Sequence, residues 1–292
     1  MTTRIMSKEP SGLSLSVKAA LPALPVIGNL PGVQHKKGDL PSWELLRSDV
    51  STDLAALEQY NEVCGFGRSD FLPAVYPHIA AHVMHMKLMT DTEFPFAPMG
   101  SVHLRNRITQ YRPIGREERY DLRLAATAIT PHPKGQLVHL DTEAHVGKEL
   151  VWDETMTVLF RNGKGGDEPE APALAGIKPP SGAVHWNLGS DLGRRYGAIS
   201  GDRNPIHLYP VTARAFGFPR HIAHGMWTKA KALSSLQNRL PEAFTVEVEF
   251  KRPILLPSTV VFGTDIRADE TIFGVQSKRD GMPHMVGRLT SK

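Results

Sequence analysis

Alternation of apolar and polar residues predicts two runs of antiparallel strands, one in each half of the chain. In the first half the alternation covers Tyr120 to Thr130 and Gln136 to His145. In the second half it covers Thr259 to Arg267 and Thr271 to Arg279. A period of two places successive side chains on opposite faces of a sheet, which is typical of half-buried strands.

One segment before the second run has helical periodicity instead. The apolar residues at helical spacing are Met226, Ala230, Leu233 and Leu236. Pro241 prevents much extension, because proline interrupts helical hydrogen bonding. We therefore predict a helix from Met226 to Gln237.

Two pairs of similar segments indicate an internal duplication. Ile108–Ile114 and Val248–Ile254 share an Arg-Pro-Ile triplet, with its arginines 140 residues apart at positions 112 and 252. Upstream, His78–His82 resembles His221–His224, offset by 143 residues. Each half then contains a loop or short helix, one longer helix and a run of strands. This order predicts an α+β fold.

A segment dense in glycine, proline and charge separates the halves. It runs from Asn162 to Pro172 and continues into Lys178–Gly182, which is typical of a linker. We place the boundary near residue 170, giving an N-terminal domain over 1–170 and a C-terminal domain over 171–292. The apolar stretch Ala19–Gly28 is interrupted by prolines, and we interpret it as part of an extended N-terminal arm.

Composition narrows the classes of function. The 292 residues contain 41% hydrophobic residues, and no apolar run reaches the roughly 18 residues of a membrane span. The single cysteine, Cys64, excludes an intrachain disulfide and suits a reducing cytoplasm. The formal net charge is +4, spread along the chain. It favours an anionic partner such as a phosphorylated carrier over nucleic acid.

The strongest candidate for chemistry is the segment Tyr196–His207, in which an acid, Asp202, precedes a base, His207, by five residues. Asn204 is a good N-cap, and Pro205 is favoured at the first helical position. Asp202 would then lie in a loop and His207 in the first turn of a short helix.

Gly201 frees the backbone for a sharp bend before this loop. Carboxylate and imidazole could then face one water as a general acid–base pair. A plain capped turn would explain Asp-x-Asn-Pro alone, but it does not explain the whole twelve-residue segment.

That segment resembles the signature of the MaoC-like dehydratases, the (R)-specific enoyl-thioester hydratases. In that family's pattern an aromatic residue and small or apolar residues precede Gly-Asp, any residue, Asn-Pro, an aliphatic residue and His. Every position is filled here. Downstream, His224-Gly225-Met226 is similar to the family's His-Gly-Met segment. The resemblance implies a double hot dog fold, in which two tandem antiparallel sheets each wrap a central helix.

The resemblance also implies roles for named residues. Asp202 and His207 would act on a water, and the Gly225 N–H would stabilise charge on a thioester carbonyl. We assign Asn204, Ser200 and Gly201 to substrate binding. Asn204 would orient the water or hold the loop, although capping alone explains it equally well.

The implied reaction is syn hydration of a trans-2-enoyl thioester to an (R)-3-hydroxyacyl thioester, or the reverse dehydration, in fatty-acid or related acyl metabolism. The expected partner is an acyl-CoA or acyl-carrier-protein substrate, with no cofactor and no metal. A homodimer is left open. Two other functions are considered: a hot dog acyl thioesterase, and a non-catalytic partner of a hydratase.

The first half lacks the motif at the corresponding place, Tyr60–Asp70, and we expect it to be catalytically silent. Its histidines at 78, 82 and 85 share a helical face at metal-ligand spacing. No carboxylate lies within that helix as in His-Glu-x-x-His, so we favour a structural role.

Overall fold

The computed structural model describes residues 2–6, 38–161, 165–167, 172 and 174–292. The predicted N-terminal arm over Ala19–Gly28 lies outside these residues. Residues 162–164, 168–171 and 173 of the predicted linker also lie outside them.

The described residues form two compact units. Unit 1 draws on Met1–Ser51, Pro77–Leu104 and Arg119–Ala171. Unit 2 draws on Thr52–Tyr76, Arg105–Glu118 and Pro172–Lys292. Unit 2 thus takes in two segments that precede residue 170. The functional boundary that we place there stays a prediction.

Unit 1 is a sheet around one helix. Its strands are β1 (Thr2–Ile5), β2 (Trp43–Val50), β4 (Tyr120–His132), β5 (Gly135–Val146) and β6 (Glu149–Phe160). They lie in the order β1-β2-β4-β5-β6. β1 pairs with β2 in parallel and the other pairs are antiparallel. The helix α2 (Pro77–Met89) contacts β2, β4 and β5.

The core of unit 1 follows the alternation predicted from the sequence. Leu122 and Leu124 of β4 are fully buried, and they face the same side because strand side chains alternate. Ala81, Met84 and Leu88 of α2 are also fully buried. The predicted strands over Tyr120–Thr130 and Gln136–His145 are confirmed as β4 and β5.

Unit 2 repeats this arrangement with more helices. The strands are β3 (Val102–Gln110, in unit 2 from Arg105), β7 (Val184–Leu188), β8 (Phe244–Phe250), β9 (Ser258–Ile266), β10 (Glu270–Ser277) and β11 (Pro283–Ser291). They lie in the order β3-β8-β11-β10-β9-β7, with antiparallel pairing throughout. β9 and β10 confirm the two strands predicted here.

The helices of unit 2 are α1 (Leu54–Cys64), α3 (Leu192–Ser200), α4 (Pro205–Leu208), α5 (Pro210–Ala215) and α6 (Gly225–Ser235). A 3₁₀ turn over Gln237–Arg239 follows α6. The helix predicted over Met226–Gln237 is therefore confirmed, with its start and end shifted by one and two residues. Met226, Ala230 and Leu233 of α6 are buried, as their spacing predicts.

The order of elements along the chain supports the inferred duplication. β2, α1, α2 and four strands make up the first copy. β7, α3, α6 and four strands make up the second, with α4 and α5 inserted between α3 and α6. The α+β class is confirmed. No helix within the described residues is long and apolar enough to cross a membrane.

Candidate active site

The acid of the motif lies in the loop that leaves helix α3. Gly201 follows the last helical residue with φ 74°, a left-handed conformation that glycine adopts without a Cβ clash. The buried Ser200 hydroxyl accepts a hydrogen bond from the Asp202 N–H at 3.2 Å. The predicted bend at Gly201 is present, and it turns Asp202 out of the helix.

Asn204 fixes the next turn in two ways. Its side-chain oxygen accepts from the Ile206 N–H at 3.3 Å, so it is the N-cap of α4, and Pro205 follows at the first helical position. The Asn204 N–H also donates to Asp202 Oδ1 at 3.1 Å. Asn204 thus both caps α4 and orients the Asp202 carboxylate.

Two glycines of α3 let this loop pack against the helix. A Cβ built at Gly193 would collide with the carbonyl oxygen of His207. A Cβ at Gly197 would lie 2.8 Å from the Asp202 carbonyl oxygen. Sequence reasoning missed both residues. Their spacing of four, on one face of a helix that precedes the motif, is the signal that could have identified them.

His207 is buried and held in one tautomer. Its Nδ1 lies 2.8 Å from the Ile222 carbonyl oxygen. A carbonyl only accepts, so Nδ1 carries the proton, and Nε2 of the neutral ring has a free lone pair. Burial lowers the pKa of His207, while the charge of Asp202 opposes this. The ring is therefore neutral at neutral pH and suited to accept a proton.

His224 is a third member of the site, which sequence reasoning did not single out. Its ring stacks on that of His207, with centroids 3.7 Å apart and planes inclined by 26°. Its Nε2 lies 3.0 Å from the Asp202 carbonyl oxygen and 3.8 Å from Asp202 Oδ2. Its place directly before Gly225, in the His-Gly-Met segment, was the available signal.

Asp202, His207 and His224 each bring a potential ligand atom within 4.8 Å of the others. The Asp202 side chain is 31% exposed, whereas that of His224 is 3% exposed. A carboxylate at the border of solvent thus meets two buried imidazoles. This arrangement can exchange protons with a single water molecule.

Gly225 is the first residue of α6, directly after His224. The first N–H groups of a helix have no intrahelical acceptor and carry a partial positive charge. A Cβ at this position would lie 3.0–3.2 Å from ring atoms of Phe250. A side chain here would therefore require the Phe250 ring to shift by a few tenths of an ångström.

Two side-chain groups within the described residues have the composition of a metal site. One is the trio of Asp202, His207 and His224. In that trio His207 Nδ1 and His224 Nε2 already face backbone carbonyls. The other group, in unit 1, is formed by His78, His85 and Glu154. The expectation of no metal stays a prediction.

In the unit 1 group the carboxylate comes from a neighbouring strand, because helix α2 itself contains none. Glu154 of β6 lies 2.8 Å from His78 Nδ1, and His85 Nε2 lies 2.9 Å from Thr142 Oγ1. All four residues are buried. Burial lowers the pKa of His85 to about 3. These contacts give the group an internal hydrogen-bond network. The structural role assigned to these histidines stays a prediction.

Comparison with known proteins identifies the family. Residues 179–290 match the model of the MaoC-like domain. Over 252 residues the chain is 36% identical to 3-hydroxyacyl-thioester dehydratase X of Mycobacterium tuberculosis, covering 86% of this chain and 88% of that protein. The chain belongs to the MaoC-like dehydratase family.

Solved structures agree with this assignment. Crystalline HtdX of M. tuberculosis matches with a TM-score of 0.76 and 32% identity, over 85% of this chain and 100% of that one. Another M. tuberculosis protein, described as having a double hotdog fold, matches with a TM-score of 0.54 over 88% and 96% of the two chains. At 14% identity it supports the fold alone. This MaoC-like chain is thus a double hot dog enzyme of the hydratase and dehydratase class.

Proposed function

We propose that this enzyme hydrates trans-2-enoyl thioesters to (R)-3-hydroxyacyl thioesters and catalyses the reverse dehydration. The observation that carries the proposal is the pairing of Asp202 with a neutral His207 whose Nε2 can accept a proton. The name of the M. tuberculosis relative, a 3-hydroxyacyl-thioester dehydratase, supports the same substrate class.

In the hydration direction the two side chains act on one water. His207 Nε2 accepts a proton as the water oxygen bonds to C3 of the substrate. The Asp202 carboxylate orients the water and stabilises the imidazolium that forms. The electron pair of the C2–C3 double bond moves toward the thioester carbonyl, where the Gly225 N–H stabilises the developing negative charge.

Protonation at C2 completes the reaction. The imidazolium returns its proton to C2 from the face on which the oxygen was added, so the addition is syn. The oxygen and one hydrogen of the water are then at C3, and its other hydrogen is at C2. Ser200, Gly201 and Asn204 hold the loop at the site, and no metal or redox cofactor takes part in these steps.

The partners are proposed on more general grounds. The net charge of +4 suits an anionic carrier such as coenzyme A or acyl carrier protein. The single, buried Cys64 suits a cytoplasmic enzyme. We leave a homodimer as a proposal for sedimentation analysis.

An enoyl-thioester absorbance assay over a ladder of acyl lengths, with both carriers, tests the reaction. Chiral chromatography of the hydrolysed product tests the geometry. Loss of enoyl absorbance with (R) product is expected, because Asp202 and His207 belong to one short loop–helix segment and reach the substrate from one side. Predominant (S) product would contradict this site geometry, and release of free thiol without hydration would favour a thioesterase.

A further inference from the structure

We propose that His224 is a positioning residue. It keeps Asp202 and His207 aligned with the N-terminus of α6, which receives the thioester carbonyl in the proposed reaction. The inference rests on the proposed function. It assigns a role to a side chain that the motif Asp-x-Asn-Pro-x-His does not include.

His224 contacts both members of the pair through different parts of its ring. Its face covers the His207 ring at a centroid distance of 3.7 Å. Its Nε2 edge donates to the Asp202 carbonyl oxygen at 3.0 Å. His224 therefore restrains His207 by packing and Asp202 by a hydrogen bond.

Its backbone has a further connection. His224 is the N-cap residue of α6, and its carbonyl accepts from the Thr228 N–H at 3.1 Å and from the Thr228 hydroxyl at 3.1 Å. The next N–H in the chain is that of Gly225. One residue thus links Asp202, His207 and the start of α6, and a small shift in it would misalign all three.

A packing partner holds the ring of His224 in place. The buried Tyr196 of α3 lies with its ring centroid 4.9 Å from that of His224. The ring of His224 thus contacts the rings of both Tyr196 and His207. A buried and restrained ring is suited to positioning, since displacements of about 1 Å can reduce turnover by about 10²-fold.

Two substitutions separate the functions of the ring. His224→Phe keeps an aromatic face against His207 and removes the donor to Asp202. His224→Gln keeps an amide donor near the position of Nε2 and removes the face. We expect each to lower kcat by roughly 10- to 100-fold with a smaller change in KM, because the pair is misaligned rather than removed.

The pH dependence of kcat/KM distinguishes positioning from a general packing defect. In His224→Gln water reaches His207, while Asp202 and His221, the titratable groups beside it, are unchanged. The pKa of His207 then rises toward its ordinary value, and the acid limb of the profile moves to higher pH. His224→Phe keeps His207 covered, so its acid limb stays at the wild-type pH. The proposal would be overturned if the acid limbs of the two variants were displaced equally, or if both variants kept wild-type kcat.

His284→Phe is the matched control. His284 of β11 also faces a backbone carbonyl through a ring nitrogen, with Nδ1 3.1 Å from the Arg252 oxygen, and it takes no part in the contacts that join Asp202, His207 and His224. We expect unchanged kcat and an unchanged acid limb in this variant.

A measurement on the unmodified enzyme covers the case in which a variant does not fold. Nitrogen-15 NMR of histidine-labelled protein should show His224 protonated on Nε2 and His207 protonated on Nδ1 at neutral pH. The opposite tautomer at His224 would overturn the proposal, independently of turnover. Failure of the wild-type enzyme to hydrate any enoyl thioester would instead reject the proposed function.

Discussion

At the scale of single residues, burial and one hydrogen bond keep His207 neutral, as its proposed role as a base requires. Ile222 fixes the proton on Nδ1, and the surrounding protein disfavours the charged ring. Asp202 remains partly exposed and can interact with water. A buried neutral imidazole thus lies beside a partly exposed carboxylate, as the proposed proton transfer through His207 requires.

Removal of either member should abolish most turnover without unfolding the protein. Asp202→Asn and His207→Ala are each expected to reduce hydration by at least about 10²-fold, the low end for loss of a general acid or base. Steady-state kinetics with circular dichroism checks this. Near-normal turnover in a folded variant would show that the proton is transferred elsewhere.

The pH profile of the wild-type enzyme should reflect the burial of His207. The proposed mechanism requires the neutral ring, and burial lowers the pKa of His207 below its usual 6.5. The acid limb of kcat/KM is therefore expected below pH 6.5, with activity falling as pH decreases further. A limb above pH 6.5 would mean that His207 is not the titrating base.

At the scale of elements, the site depends on how closely a loop approaches helix α3. Gly193 and Gly197 form the contact surface, with the backbone carbonyls of His207 and Asp202 against them. Helical glycine is intrinsically unfavourable by about 1 kcal/mol relative to alanine. The close contact with the loop explains why glycine occupies both positions of the helix.

Gly193→Ala should therefore impair both activity and stability, despite the higher helix propensity of alanine. The added Cβ must displace the His207 backbone, and overpacking of this kind costs about 1–3 kcal/mol. Denaturant unfolding and kcat measure the two effects. Arg195→Ala, in the same helix, serves as control. It removes only an exposed ion pair with Glu62 at 3.8 Å, so both quantities should change much less than in Gly193→Ala. Wild-type kcat in Gly193→Ala would contradict the predicted contact.

At the scale of the whole molecule, the duplicated elements carry different side chains. Gly65 directly follows α1 and has φ 83°, and Gly201 directly follows α3 and has φ 74°. After Gly65 the chain reads Phe-Gly-Arg-Ser-Asp70 and lacks the acid–base motif. The backbone feature is shared by both copies, whereas the motif occurs in one.

Substitutions in the first half should therefore leave turnover largely unchanged. Asp70→Ala and His82→Ala are expected to keep wild-type kcat, because neither belongs to the acid–base motif. Elemental analysis of the purified enzyme should find no stoichiometric metal. A tightly bound zinc that is lost in His82→Ala would contradict the structural role given to these histidines.

Local chemistry is what the sequence by itself determined. Gly201, Asn204 and Pro205 specify a bend and a capped turn through contacts within a few residues, so the loop geometry of Asp202 and His207 was predictable. The periodicity of β4, β5, β9, β10 and α6 was predictable for the same reason, since side-chain period and backbone geometry are coupled over short distances.

Only the tertiary structure decided the contacts between segments distant in the chain. The acceptor for His207 is Ile222, fifteen residues away, and the carboxylate beside His78 is Glu154, 76 residues away. The stacking of His224 on His207 and the close approach to Gly193 also depend on how separate elements pack. Such contacts depend on the folded path of the whole chain, which no local pattern encodes.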